Sequence, residues 1–168
     1  MEYAFDGTAP DIHDTADVCA EATLIGAVTI GARSSVWPGA VLRGDFGSVT
    51  VGTHSHVEEQ TVLHDATVGD DVIVGHGAIL NEATVADQVL VGMNSTVNAG
   101  VRVGSRSVIA PNAVIPQGRE IPTESIVRGV PADVIPVAET DYDIDDMLGA
   151  YAARDYSDLV EQHTDLFG

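Results

Sequence analysis

The side chains best suited to metal binding or proton transfer in this sequence are those of two histidines, His64 and His76. A neutral imidazole binds transition metals and can also accept a proton near neutral pH. Arg43 and Asp45 stand close together earlier in the chain, where a guanidinium and a carboxylate can form an ion pair. The residues therefore offer a metal site or an acid–base site, provided that the fold brings them together.

The fold is indicated by nineteen aliphatic residues that recur along the chain, with fifteen of the eighteen intervals equal to six residues, two to five and one to nine. A period of six fits neither an α-helix nor an alternating strand. It fits a chain that turns a corner every six residues and points one aliphatic inward on each wall. Because three walls close a coil, the sequence predicts an all-β solenoid, a parallel β-helix of about six coils. The inward residues are Ile12, Val18, Leu24, Ile30, Val36, Leu42, Val51, Val57, Leu63, Val68, Val74, Leu80, Val85, Val91, Val97, Val103, Ile109, Ile115 and Ile121.

The same repeat predicts the organisation of the chain. Residues 1–136 form the β-helix domain, which begins with a short lead-in that ends at Pro10. The interval of nine between Leu42 and Val51 predicts a three-residue insertion that bulges from a corner. Residues 137–168 are predicted as a C-terminal helix packed along the coils, with helical composition from about Asp141 to Leu166. Its apolar stripe is Met147, Leu148, Tyr151, Leu159 and Val160.

The charge of the chain excludes some partners. The formal net charge is −19, and all seven basic residues are Arg. Nucleic acid is therefore not an expected partner. Carboxylates in this excess repel one another unless salt screens them, which predicts a halophilic source. The alternative is an ordinary acidic protein.

Other features bear on the compartment. Cys19 is the only cysteine, so an intrachain disulfide is excluded and a small buried residue is expected there. The sequence has no apolar run long enough to span a bilayer, and its start lacks the pattern of a signal peptide. We therefore expect a cytoplasmic protein.

The predicted coils place the polar residues in columns. A residue next to an inward aliphatic points outward, and equivalent residues of neighbouring coils stack about 5 Å apart. Arg43, His64, Asn81 and Asn98 therefore form one column, whereas His76 lies on the preceding wall. Outward side chains on different walls diverge, so His64 and His76 can share a ligand only across an interface between chains. A threefold assembly would make three such sites.

Each of these residues also has a structural interpretation. A histidine on a β-helix face is commonly a hydrogen-bonded surface residue, and His54 and His56 are expected to be an ordinary corner residue and an ordinary wall residue. Asn81 and Asn98 could form a ladder that satisfies corner backbone groups. Arg43 and Asp45 are expected to form an ion pair at the interface.

The sequence resembles the γ-class carbonic anhydrases, a hexapeptide-repeat family that forms trimers of left-handed β-helices. The similarity covers nearly the whole chain, although the hexapeptide pattern alone is shared with many acyltransferases. The segments that carry it are Phe5-Asp6-Gly7, Leu24-Ile25-Gly26, Val41-Leu42-Arg43-Gly44-Asp45, Gly75-His76-Gly77, Val91-Gly92-Met93 and Gly129-Val130-Pro131-Ala132.

The resemblance implies a homotrimer that hydrates carbon dioxide reversibly to bicarbonate at a metal between subunits. The family holds zinc, or iron or cobalt at the same site, with two His from one subunit and one from its neighbour. The metal activates a bound water, whose pKa zinc lowers to about 7. The matching positions here are His64, His76 and Asn81, with Arg43, Asp45 and Glu58 as the catalytic residues around the pocket.

The chain departs from the family pattern at three positions. Asn81 replaces the third His, Glu58 replaces a water-orienting Gln, and Phe46 replaces an acidic residue. A neutral amide oxygen is a poorer zinc ligand than imidazole, so we expect the metal to be weakly bound, helped by another ligand, or absent. Glu58 could supply the lost ligand, because carboxylates bind zinc.

Two other functions compete with the hydration of carbon dioxide. A hexapeptide-repeat acyltransferase or acyl-CoA thioesterase would hold coenzyme A in an interface cleft and use His64 or His76 as a base. A non-catalytic relative would keep the trimer and serve as a scaffold subunit.

The charge of −19 leads to a first prediction, which is that folding requires salt. At 1 M salt the Debye length is about 3 Å, so repulsion between unpaired carboxylates is relieved. Thermal melting followed by circular dichroism should show a lower midpoint as potassium chloride falls from molar to millimolar concentration. An unchanged midpoint would show that the excess charge does not limit stability.

Overall fold

The protein is a stack of short parallel strands on three walls, given by a computed structural model that describes residues 1–152, 159–160 and 162–167. The first wall contains β8 (Val62–His64), β11 (Ile79–Asn81), β14 (Thr96–Val97) and β17 (Val114–Ile115). The second wall contains β2 (Asp11–Ile12), β9 (Thr67–Val68), β12 (Thr84–Val85), β15 (Arg102–Val103) and β18 (Glu120–Ile121). Two long strands, β4 (Thr23–Ile30) and β6 (Val41–Val51), run along both walls, and β1 (Glu2–Tyr3) pairs with β4.

The third wall sets the number of turns. It contains β3 (Asp17–Val18), β5 (Ser35–Val36), β7 (His56–Val57), β10 (Ile73–Val74), β13 (Leu90–Val91), β16 (Val108–Ile109) and β19 (Ser125–Gly129). These seven strands are parallel, and the last pairs with an antiparallel strand, β20 (Ala132–Pro136). The solenoid predicted from the period of six is confirmed, and it has about seven turns where the sequence predicted about six.

The aliphatic ladder fills the space between the walls. Of the nineteen residues predicted to point inward, all but Ile12 and Val18 are buried, and these two pack partly buried against the core. Both lie in the first turn, where fewer neighbours cover them. Cys19 is buried as predicted, and burial raises the pKa of its thiol.

The predicted insertion lies in β6. Gly44 and Val49 are five residues apart, whereas their partners on β4, Gly26 and Val28, are two apart, so β6 carries three extra residues. Phe46 stands in this insertion with 85% of its surface exposed. The insertion therefore projects from the corner next to the column that begins at Arg43.

The C-terminal part differs in detail from the single helix predicted from about Asp141. A 3-10 helix spans Val137–Glu139, and α1 spans Ile144–Ala152. The α-helix begins later than predicted because the Asp143 carboxylate caps it, accepting hydrogen bonds from the backbone N–H groups of Asp145 (2.8 Å) and Asp146 (3.2 Å). A second described helix, α2, spans Thr164–Phe167.

These segments pack along the third wall. Val160 is buried in a cluster with Trp37 and Ile73, and the ring of Phe167 meets that of Trp37 edge-on with centroids 5.1 Å apart. Arg106 ties α1 to the coils through a 2.9 Å ion pair with Asp145. The side chain of Tyr151 lies outside the part of the structure that is described, and the division at 136 and 137 stays a prediction. No helix in the described part of the chain has the length and apolar character needed to cross a membrane.

The close stacking of turns leads to a prediction about Gly92. A Cβ at this position would lie 2.5 Å from the Ile109 carbonyl oxygen and 2.5 Å from the Pro111 nitrogen, both of them backbone atoms. Gly92→Ala should therefore lower the free energy of unfolding by about 1–3 kcal/mol. Gly149→Ala is the matched control, because nothing lies near that Cβ and alanine favours the helix by up to about 1 kcal/mol. Chemical denaturation in molar salt measures both, and equal effects would contradict the stacking argument.

Candidate metal centre

The first wall positions the column that holds His64. Leu42, Leu63 and Leu80 are fully buried, so the residue after each of them points outward. The parallel register places Arg43 beside His64 and His64 beside Asn81. This part of the predicted column is confirmed.

Asn81 sets the tautomer of the His64 ring. The Asn81 Oδ1 atom lies 3.0 Å from His64 Nδ1, and an amide oxygen can only accept a hydrogen bond. We therefore assign the proton to Nδ1, which leaves a lone pair on Nε2. Asn98 donates instead to the Ile115 carbonyl oxygen at 2.8 Å, and the Asn81 amide nitrogen donates to Glu82 Oε1 at 3.5 Å. The described contacts therefore form no ladder from Asn81 to Asn98.

Charged groups surround the Nε2 atom of His64. The Arg43 Nη2 atom donates to it at 2.9 Å, Asp45 Oδ1 lies 3.3 Å away and Asp65 Oδ2 lies 3.5 Å away. Arg43 Nε is 3.1 Å from Asp45 Oδ1, which confirms the ion pair expected between these residues. Among the described residues, Asp45, His64 and Asp65 form the one set of three that offers ligand atoms within 4.8 Å of one another.

His76 lies on the third wall, directly after β10 and Gly75. Its Nδ1 atom is 2.6 Å from Glu59 Oε2, and its Nε2 atom is 3.2 Å from Glu58 Oε2. Glu58 is held in place because it also accepts the backbone N–H of His76 at 3.1 Å. The His76 side chain is 51% exposed, so its ring can meet a group from another molecule.

The structure does not bring His64 and His76 together within one chain. No hydrogen bond or ion pair joins the two rings in the described part of the molecule, and they stand on different walls. Glu58 lies with His76, whose backbone N–H and Nε2 atom it contacts. His54, with a backbone φ of 53°, is a corner residue, and His56 is a buried wall residue, as predicted.

Sequence reasoning missed two carboxylates at this centre, Asp65 and Glu59. Asp65 follows His64 directly, and the Gly47 N–H donates to its Oδ1 atom at 2.9 Å, which turns Oδ2 toward His64. Glu59 lies one turn before His76, at a separation of 17 residues. The spacing of one turn was the available signal for Glu59, since it is the spacing that places His64 beside Asn81.

A groove of about 510 Å³ opens beside His76, between the outer face of the third wall and the C-terminal segment. Glu58 and His76 stand among its lining residues with Arg128, and Tyr142 and Met147 contribute from the C-terminal side. The rest of the lining is mainly aliphatic. The groove can therefore accept an apolar or extended group that reaches the imidazole.

Comparison with known proteins places this architecture. Residues 82–117 match the bacterial transferase hexapeptide (six repeats) family. Over 138 residues the chain is 35% identical to the carnitine operon protein CaiE of Escherichia coli, covering 79% of this chain and 70% of that protein. Over 166 residues it is 34% identical to the mitochondrial gamma carbonic anhydrase 1 of Arabidopsis thaliana, covering 92% of this chain. The chain belongs to the γ-carbonic anhydrase-like family of hexapeptide-repeat proteins.

Membership of this family agrees with the solved structures. A hexapeptide transferase family protein from Anaplasma phagocytophilum matches with a TM-score of 0.84 and 26% identity, over 94% of this chain and 97% of that chain. The solenoid is thus a left-handed β-helix, as the resemblance implied. The chain spans 59% of the length of the Arabidopsis relative.

Proposed function

We propose that the protein hydrates carbon dioxide reversibly at a metal shared between subunits of a homotrimer, with His64 from one chain and His76 from the next. One observation carries the proposal. In both rings an acceptor lies beside Nδ1, Asn81 for His64 and Glu59 for His76. Both rings can therefore hold their proton on Nδ1 and bind a metal through Nε2, and in proteins a ligand imidazole is commonly held in this way through its other nitrogen.

The surroundings of each Nε2 atom fit a divalent cation. Asp45 and Asp65 face that of His64, and Glu58 faces that of His76. Imidazole with carboxylate is a donor set for zinc, and it also suits iron and cobalt. The buried Oδ1 atom of Asp45 accepts no hydrogen bond in the described structure, which leaves it able to face a cation.

The interface follows from the separation of the two rings. His64 and His76 stand on different walls of one prism, so a metal that both of them hold requires two chains. A cyclic trimer repeats this contact three times and closes. The half-exposed ring of His76 has the access that such a contact needs.

The residues around the metal would divide the remaining tasks. A bound metal supplies a Lewis acid that makes water a nucleophile at neutral pH. Glu58, with 11% of its side chain exposed, is placed to accept a proton beside His76 Nε2. The Arg43 guanidinium, which lies beside Asp45, would offer donors to the oxygens of carbon dioxide and bicarbonate.

The groove beside His76 favours a second candidate, acyl transfer. Its aliphatic lining suits the arm of an acyl thioester, and His76 flanked by Glu58 and Glu59 is an arrangement for a general base. Titration with coenzyme A and acetyl-coenzyme A tests this candidate. Binding at micromolar concentration, together with no hydration of carbon dioxide, would favour it. A chain that binds neither metal nor coenzyme A would be a scaffold subunit.

The interface proposal predicts complementation between two inactive variants. His64→Gln and His76→Gln should each lower the hydration rate on the order of 100-fold or more, because each removes a ligand from every site. Equal amounts unfolded together and refolded in molar salt should recover about one quarter of the wild-type rate. Three quarters of such trimers are mixed, and each mixed trimer has one intact interface of three.

The control is His64→Gln refolded with the double variant at both positions, which contains no intact pair and should stay inactive. Light scattering in molar salt should report about three chains for every sample. Trimers that show no recovery on mixing would contradict a site shared between subunits.

A further inference from the structure

The Asp45, His64 and Asp65 side chains meet at one point on the first wall. The His64 Nε2 atom is 3.3 Å from Asp45 Oδ1 and 3.5 Å from Asp65 Oδ2. Two ligand atoms bound to one tetrahedral zinc at 2.0–2.2 Å lie about 3.3–3.6 Å apart. The two separations from His64 therefore suit donors to one ion, and the carboxylate oxygens of Asp45 and Asp65 lie within 4.8 Å of each other.

Contacts outside the cluster orient two of the three donors, Asp65 and His64, toward its centre. The Gly47 N–H holds Asp65 through Oδ1, which leaves Oδ2 for the centre. Asn81 holds His64 through Nδ1, which leaves Nε2. Groups that orient ligands in this way raise metal affinity, commonly by 10–100-fold. Asn81 therefore acts here as a positioning residue for His64.

The charge of the cluster leaves a place for a cation. The Asp45 and Asp65 carboxylates both face His64 Nε2, and among the described contacts the cation beside them is the Arg43 guanidinium. Asp45 Oδ1 is buried and accepts no hydrogen bond, although Arg43 Nε lies 3.1 Å away as its ionic partner. The Arg43 side chain is 42% exposed, so the guanidinium has solvent into which it can withdraw when an ion enters.

We propose that Asp45, His64 and Asp65 hold a divalent cation within a single chain, and that Arg43 occupies its place when the cation is absent. This inference rests on the proposed function, since the cation is the same metal. It changes the ligand set, because two carboxylates replace the imidazole that the chain lacks at Asn81. His76 of the neighbouring chain then meets a metal that is already bound. The donor set suits Zn²⁺, Co²⁺ and Mn²⁺.

The test is calorimetric titration of metal-free protein with ZnCl₂ and MnCl₂ in molar potassium chloride. Asp65→Asn should weaken binding at least about 100-fold, and His76→Gln by less than about tenfold. Asp71→Asn is the matched control. It removes the same charge from another His–carboxylate pair, in which His54 Nδ1 lies 2.7 Å from Asp71 Oδ1, and it should leave binding unchanged.

A second variant tests the role of Arg43 without removing a ligand. Arg43→Gln removes the competing cation, so binding should tighten by about tenfold or more, equivalent to about 1.4 kcal/mol. Melting curves confirm that each variant folds. Unchanged or weaker binding by Arg43→Gln would overturn the competition.

The outcomes separate this inference from the proposed function. If His76→Gln abolishes binding while Asp65→Asn retains it, the ligands within one chain are wrong and the interface site stands. If the wild-type protein binds neither ion, both proposals fail. If Asp65→Asn abolishes binding and complementation between the His64 and His76 variants still fails, the intrachain site stands and the shared catalytic site is wrong.

Discussion

Hydrogen bonding in register between successive turns is the constraint on which the rest of this structure depends. Each wall strand pairs with the strand one turn away, so a residue and its equivalent in the next turn share a position on the outer surface. In this register the inward aliphatic side chains of successive turns stack on one another and form the buried core. The position of a polar residue on the outer surface therefore follows from the turn and the wall on which it lies. Arg43 contacts His64 although 21 residues separate them in sequence, and His64 contacts Asn81 although 17 separate them.

The same register explains why the centre has two separate halves. A side chain that leaves one wall of a prism cannot reach another wall, so the residues beside His64 and those beside His76 are organised independently. Each half supplies an imidazole with Nδ1 engaged and carboxylates beside Nε2. Two halves of similar construction on different walls favour an assembly in which neighbouring chains bring them together.

Much of this arrangement is predictable from the sequence, because the period of six encodes the walls, the core and the column. The insertion before Val51 follows from the same count. The burial of Cys19 follows instead from its being a lone cysteine, a residue type that is commonly buried. Asp65 was not predicted, since a carboxylate carries no distinctive spacing in a chain with 26 acidic residues. Glu59 was not predicted either, although it lies one turn before His76. Their roles depend on side-chain direction, which the Gly47 N–H and the ring of His76 determine. The start of α1 depends on a local cap at Asp143, and composition alone placed it too early.

We propose that a metal lies at the boundary between subunits and is held from the His64 side. Crystals of the protein grown with zinc, with diffraction measured above and below the zinc absorption edge, test this directly. We expect three equivalent anomalous peaks, each about 2.0–2.2 Å from His64 Nε2 and from carboxylate oxygens of Asp45 and Asp65, facing His76 of the neighbouring chain. A trimer whose only anomalous peaks lie away from His64, or whose His64 and His76 face solvent on separate surfaces, would contradict it.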